Sequence, residues 1–186
     1  SSIGSVLFGC DTAVIAGTPS SLRQVFLLGD SQIGFAVSSA LFGALFGAAA
    51  VGKPCERFGR VKTLFVLAIL YLISVVGCAG AWDVNSLMVF RFIGGLAVGG
   101  SSVVSPMYIT EITPPARRGL LVAVSQLNIV AGILAALVSN YYISETIGME
   151  AGAHAWRWMF GAEAVPSVLF LAAVLLIPES PRWLAR

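Results

Sequence analysis

Charged residues are scarce in this sequence. Asp, Glu, Lys and Arg together make up 11% of its 186 residues, against about a quarter in a typical soluble domain. Apolar residues make up 58%, and the mean hydropathy is +0.91. The formal net charge is only +2, which provides no field for binding nucleic acid. The composition excludes an ordinary soluble domain and indicates a membrane protein.

Side chains that commonly carry enzymatic or metal chemistry are equally few. The three cysteines, Cys10, Cys55 and Cys78, are scattered without CxxC spacing, and the single histidine, His154, lies in a polar segment. This pattern predicts unpaired thiols that fill helix surfaces, and it supports no metal site. No nucleophile stands beside a general base. We therefore expect no catalytic residues and no cofactor.

Long apolar segments dominate the chain instead. Six of them approach the ~20 residues that a transmembrane helix requires, at about 3–18, 32–52, 63–82, 86–108, 120–143 and 156–177. The first is short and follows Ser1, so we interpret it as a helix trimmed at its start. Residues 1–186 are thus predicted to form one all-α membrane domain of six transmembrane helices.

The charges between these segments predict the orientation of the chain. One set of helix ends has only Arg23 and Arg157, whereas the other has eight basic residues. These are Lys53, Arg57, Arg60, Lys62, Arg117, Arg118, Arg182 and Arg186. The richer set is expected to face the cytoplasm, which places both ends of the chain inside.

Three charged residues fall well inside the predicted helices. Asp11, Arg91 and Glu163 lie in helices one, four and six, and at 1.5 Å per residue each is ~8–11 Å below the outer surface. A charge in hydrocarbon needs a partner, so we expect both acids to face Arg91. A carboxyl group can exchange a proton while arginine keeps its own, which suits a proton site that biases two helix arrangements. Alternatively, Arg91 extends to the headgroups and the acids line separate crevices.

Helix four is rich in small residues, which predicts that it is buried among other helices. They are Gly94, Gly95, Gly99, Gly100, Ser101 and Ser102. Helix five carries amides instead. Gln126 shares a face with Ile133, while the sequence does not assign Asn128 and Asn140 to a particular face. Amides suit a hydroxyl-rich neutral ligand. Hydrogen bonding between helices explains them equally well.

Acids accompany the basic residues at the predicted cytoplasmic ends. The sets are Glu56 with Arg57 and Arg60, Glu111 with Arg117 and Arg118, and Glu179 with Arg182. A solvated positive surface explains the arginines but not an acid that recurs at three successive helix pairs. We predict ion pairs between helices that hold one conformation closed.

Five stretches resemble the sugar porter family of the major facilitator superfamily, over nearly the whole chain. They are FGCDTAVIAG, ERFGRVK, RFIGGLAVGGSSVVSPMYITEITPPARRG, SQLNIVAGI and PESPR. The motifs look most like those of bacterial xylose–proton and glucose–proton symporters. The resemblance implies the amino-terminal half of a twelve-helix cell (inner) membrane transporter with alternating access, whose carboxyl-terminal half lies outside this sequence.

The resemblance also assigns roles to single residues. Asp11 matches the proton-linked acid, Arg91 its partner, and Glu163 a further member of that network. Phe8, Gln126 and Ile133 match sugar-contacting positions, with isoleucine at the last of them as in glucose carriers. The implied cytoplasmic gate consists of Glu56, Arg57, Arg60, Glu111, Arg118, Glu179 and Arg182.

The implied function is proton-coupled symport of a hexose or a pentose. Its partners would be the monosaccharide, the proton, the lipid bilayer and the carboxyl-terminal half. Two alternatives stay open: a passive sugar uniporter, and a sugar sensor or non-transporting membrane scaffold. Passive carriers of the family tend to have a neutral residue at the position of Asp11, so the aspartate favours symport.

Overall fold

The computed structural model describes residues 2–17, 30–146, 155–179 and 183. Within them every regular element is a helix, so the prediction of an all-α protein is confirmed. The α-helices are α1 (Ser2–Gly17), α2 (Asp30–Ala50), α3 (Gly52–Phe58), α4 (Arg60–Ala79), α5 (Val84–Ile112), α6 (Arg118–Thr146), α7 (Ala155–Ala162) and α8 (Ala164–Leu175). A short 3₁₀ turn, Pro115–Arg117, precedes α6.

Four helical stretches in the described part of the chain are long and apolar enough to cross a membrane. They are Arg60–Ala79, Val84–Ile112, Arg118–Thr146 and Arg157–Leu175. The bent pair of α2 and α3 makes a fifth span if it is counted as one. The described part of α1 has 16 residues, fewer than a full span requires. Each predicted segment is largely helical where it is described, although the sixth is interrupted at Glu163. The count of six spans stays a prediction.

The second predicted helix does not end at residue 52. It continues as α3 to Phe58 after a bend of 47°. Pro54 explains the bend, because proline has no N–H to donate to the carbonyl of Ala50 four residues earlier. Lys53, Glu56 and Arg57 therefore lie on a helix rather than in a loop.

Glycines bring α2 and α5 into direct backbone contact. A Cβ added to Gly43 or Gly47 would overlap backbone carbonyl oxygens of α5, and one added to Gly95 or Gly99 would overlap those of α2. Helix α5 is the fourth helix predicted from the sequence. Of its small residues listed above, Ser102 alone is exposed. The predicted burial of that helix is otherwise confirmed.

The α1–α6 contact is built in the same way. A Cβ on Gly9 would overlap the carbonyl of Ile129, and one on Gly132 would overlap that of Val6. The long helix α5 also packs on α4 and α1, and α4 packs on α7 and α8. The predicted charged residues of α1, α5 and the α7–α8 region are thereby brought to a common interior.

Candidate functional site

An ion pair joins α1 to α5 inside the helix bundle. Nη1 of Arg91 lies 3.5 Å from Oδ1 of Asp11, and the two side chains are 5% and 15% exposed. The Arg91 guanidinium also stacks on an aromatic ring, with Cζ 5.3 Å from the centroid of Phe160, which is cation–π distance. The structure therefore gives Arg91 an acidic and an aromatic partner, and it is buried rather than extended to the headgroups.

Glu163 completes the predicted charge cluster. It stands at the break between α7 and α8 and is 4% exposed. Its carboxylate lies within electrostatic reach of Asp11 and Arg91. Its backbone carbonyl accepts a 2.6 Å hydrogen bond from the hydroxyl of Ser167, which anchors the first turn of α8 to this residue.

The cluster leaves polar atoms unsatisfied. Among the described residues, Oε1 of Glu163 and Nη2 of Arg91 have no hydrogen-bond partner although both are buried. A buried polar atom without a partner costs about 1–3 kcal/mol, and more when it is charged. With both acids ionised, the two carboxylates and one guanidinium would also carry a net negative charge in a low-dielectric interior. Binding one proton would neutralise that charge.

Two aromatic residues of the cluster were not predicted from the sequence. Tyr71 of α4 is 2% exposed, and its hydroxyl lies within electrostatic reach of Glu163, Asp11 and Arg91. Phe160 precedes Glu163 by three residues and supplies the ring under Arg91. A tyrosine in the middle of an apolar helix is a signal that could have drawn attention to Tyr71, whereas Phe160 looks like any packing residue.

The predicted sugar-contacting residues lie along the α1–α6 contact. Phe8 lines a small cavity of about 80 Å³ together with Ile129. Ile129 lies between Gln126 and Ile133 at helical spacing, so all three share one face of α6. Gln126 is exposed, Phe8 is 36% exposed and Ile133 is half-buried.

The amide of Asn140 forms a contact between helices. It is buried, and its Nδ2 donates to the carbonyl of Ala13 at 3.4 Å. This favours a structural role at that position. Gln126 is exposed, and its predicted role in sugar binding stays a prediction.

Two of the predicted gate residues form a close salt bridge. Nη2 and Nε of Arg60 donate to Oε1 of Glu111 at 2.7 and 3.2 Å, and the side chains are 11% and 7% exposed. The pair joins the first residue of α4 to the last turn of α5. Cys55, whose carbonyl accepts from Nη1 of Arg60 at 3.4 Å, lies directly beneath it and is 1% exposed.

Glu179 binds backbone N–H groups at the same end of the molecule. Its Oε1 accepts from the N–H groups of Arg60 and Val61 at 2.9 and 3.0 Å, so it caps the positive N-terminus of α4. Gly59 permits this approach, since its φ is 99° and a Cβ there would lie 2.8 Å from Oε2 of Glu179. The hydroxyl of Tyr108 donates to the carbonyl of Pro178 at 2.8 Å and holds the segment against α5.

The other predicted gate residues are placed differently. Arg57 stacks beside Phe58, with Cζ 5.4 Å from the ring centroid, and Nε of Arg118 donates to the carbonyl of Thr113 at 3.2 Å. Glu56 is exposed, and its backbone carbonyl accepts from Nε1 of Trp183 at 3.1 Å. None of these three forms a salt bridge within the described residues. Arg182 lies outside them.

The three cysteines are buried free thiols in helix contacts. Among the described residues no group of His, Cys, Asp and Glu is arranged to hold a metal ion. His154 lies outside the described residues.

Comparison with known proteins places this arrangement in a family. The family model described as "Sugar (and other) transporter" matches residues 1–186. The glucose transport protein of Synechocystis is 41% identical and the D-xylose-proton symporter of Escherichia coli is 39% identical, each over 98% of this chain. The chain spans 40% and 43% of those two relatives.

A solved structure shows the same fold. The proton:xylose symporter XylE, of the major facilitator superfamily, superposes with a TM-score of 0.92 at 38% identity, over 99% of this chain and 44% of that one. A family match over the whole chain and a close structural match agree with each other. The chain therefore belongs to the sugar transporter family of the major facilitator superfamily, a family of multi-pass membrane transporters and not of enzymes.

Proposed function

We propose that this chain is the amino-terminal half of a proton-coupled monosaccharide symporter. The observation that carries the proposal is the buried cluster in which Asp11 pairs with Arg91 and Glu163 lies within electrostatic reach of both. A passive carrier has no need of titratable groups in this position. The E. coli D-xylose-proton symporter named above couples a sugar to a proton, which supports the same function here.

The cluster suggests how a proton is coupled to movement. Asp11 belongs to α1, Arg91 to α5 and Glu163 to the α7–α8 break, so their attraction holds three parts of the bundle together. A proton on Asp11 would weaken its pairing with Arg91 and leave Glu163 as the remaining counter-ion. Arg91 would then shift its interaction from α1 towards the α7–α8 break. Such an exchange biases two helix arrangements without moving a charge out of the interior.

The sugar would bind on the face formed by α1 and α6, where Phe8, Gln126 and Ile133 lie. An apolar ring and a free amide are the groups that receive a monosaccharide, because one packs against C–H groups and the other donates to and accepts from hydroxyls. Since the chain spans about two fifths of its curated relatives, we propose that a carboxyl-terminal half supplies the rest of the site. Isoleucine at position 133 favours a glucose-like substrate.

The Arg60–Glu111 bridge and the Glu179 cap would form the gate at the opposite end from the charge cluster. Both draw α4, α5 and the segment after α8 together. By the distribution of basic residues this end faces the cytoplasm, with both ends of the chain on that side. Closing and opening these contacts would alternate access to the sugar site.

Accumulation of sugar tests the proposal. In proteoliposomes holding the full-length protein, Asp11→Asn should abolish accumulation of glucose or xylose against a gradient and preserve sugar exchange. The matched control is Glu145→Gln, which neutralises an exposed acid at the end of α6. Full accumulation by Asp11→Asn would contradict symport through this cluster. Flux that ignores the proton gradient in the unsubstituted protein would make it a uniporter, and sugar binding without flux a sensor or scaffold.

A further inference from the structure

An apolar groove on the side of the bundle is not used by the proposed transport mechanism. It has a volume of about 510 Å³ and lies between the bent end of α2–α3 and helix α4, with α5 at its base. The apolar lining includes Ala50, Pro54, Phe58, Val66, Leu70 and Leu96.

The groove is apolar along its length and basic at one end. Among the described residues that line the groove, Lys62 and Thr63 have polar side chains. The hydroxyl of Thr63 donates to the carbonyl of Gly59 at 2.6 Å and is therefore satisfied. Lys62, in contrast, is exposed, and within the described residues it forms no salt bridge; its Nζ lies 5.8 Å from the ring centroid of Trp183.

The charged residues next to the lining of the groove are mostly basic. Lys53 and Arg57 precede the lining residues Pro54 and Phe58 along α3 and are exposed like Lys62, and Glu56 is the acid between them. Arg60 is already neutralised by Glu111. Lys62 and Leu70 are eight residues apart on α4, so the groove extends about 12 Å from the basic rim into the apolar part of the bundle.

We propose that this groove binds an anionic phospholipid, with an acyl chain along α4 and the headgroup phosphate on Lys62 and Lys53. The groove matches such a molecule, because its lining along α4 is apolar and the ammonium group of Lys62 lies at one end. Lysines bordering a membrane attract anionic headgroups by roughly 1 kcal/mol each. A zwitterionic lipid would fill the channel and gain little from the lysines. The inference does not depend on proton coupling.

Native mass spectrometry of the full-length protein tests the headgroup. The protein is released from micelles that contain phosphatidylglycerol or phosphatidylethanolamine with identical acyl chains. We expect preferential retention of phosphatidylglycerol, about fivefold weaker in Lys62→Gln and weaker again when Lys53→Gln is added. Arg117→Gln, an exposed basic residue away from the groove, should leave retention unchanged. Equal retention of both lipids by the unsubstituted protein, or an equal loss in Arg117→Gln, would overturn the proposal.

A second pair of variants tests the groove itself. Val66→Trp places an indole in the channel, whereas Val168→Trp places one on α8, and the two valines are 55% and 52% exposed. The first should reduce phosphatidylglycerol retention at least fivefold and the second should not. If Val66→Trp proves unstable on thermal melting, Val66→Phe replaces it. Undiminished retention in the folded Val66 variant would show that the lipid binds elsewhere or that another part of the protein covers the groove.

Discussion

At the scale of single residues, charge inside apolar helices was the most informative feature of the sequence. Asp11, Arg91 and Glu163 stood out because ionised groups are costly in hydrocarbon, and their matching depths predicted a common site. The structure brings them together. Tyr71 and Phe160 escaped prediction because an aromatic residue in an apolar helix has the appearance of ordinary packing, and only the tertiary fold shows what it touches.

The stability of the protein should depend on the charge of Arg91. Arg91→Met keeps an apolar side chain of similar length and leaves two acids buried without their cation. Removing one partner of a buried ion pair typically costs about 3–5 kcal/mol, so we expect a clear fall in Tm. Thermal melting in detergent at neutral pH measures the effect.

The companion variant separates lost charge from lost packing. Adding Asp11→Asn to Arg91→Met should recover part of the lost stability, because one unpaired carboxylate is then gone. If the double variant instead loses the sum of the Tm losses of the two single variants, Arg91 stabilises the bundle by packing on Phe160 and not by its charge.

At the scale of helices, the sequence indicated which elements form and the structure showed how they meet. Apolar length located the helices to within a few residues at most ends. The bend at Pro54 was missed because the basic residues that follow it suggested a loop. The reciprocal glycine contacts of α2 with α5 and of α1 with α6 could not be paired from one sequence, since a glycine pattern identifies a contact face but not its partner.

The glycine contacts can be tested with two alanine substitutions in one helix. Gly47→Ala should lower Tm strongly, because its Cβ would overlap the carbonyl of Leu96 and force α2 away from α5. Gly34→Ala should have no such effect, since nothing lies within 4 Å of its added Cβ, and alanine favours helix by about 0.5–1 kcal/mol. Thermal melting of the two variants measures both shifts in Tm. Equal shifts would show that close packing at Gly47 is not what holds this pair.

At the scale of the whole molecule, two clusters join the helices at different positions. The charge cluster links α1, α5 and the α7–α8 break, while Arg60, Glu111 and Glu179 link α4, α5 and the segment after α8. The second cluster was predicted as a set of side-chain ion pairs. Arg60 and Glu111 form such a pair. Glu179 caps the N-terminus of α4, a role that depends on the positive φ of Gly59 and could not be seen in the spacing of charges.

Breaking the Arg60–Glu111 bridge should loosen that end of the molecule. Cys55 is 1% exposed beneath Arg60, so its reaction with a maleimide reports opening once the other cysteines are replaced. Charge-assisted hydrogen bonds contribute about 1.5–3 kcal/mol, which predicts labelling at least tenfold faster in Glu111→Gln. Glu145→Gln should leave the rate unchanged. Unaltered labelling in Glu111→Gln would mean that the bridge does not keep this end closed.

The central claim is that sugar transport is coupled to a proton bound in the Asp11–Arg91–Glu163 cluster. Sugar-triggered proton movement measures this coupling most directly. The full-length protein is placed in proteoliposomes, and the external pH is followed when glucose or xylose is added. The account predicts external alkalinisation, abolished in Asp11→Asn and retained in Glu145→Gln. Sugar flux without any pH change in the unsubstituted protein would contradict the account and leave Asp11 as a structural partner of Arg91.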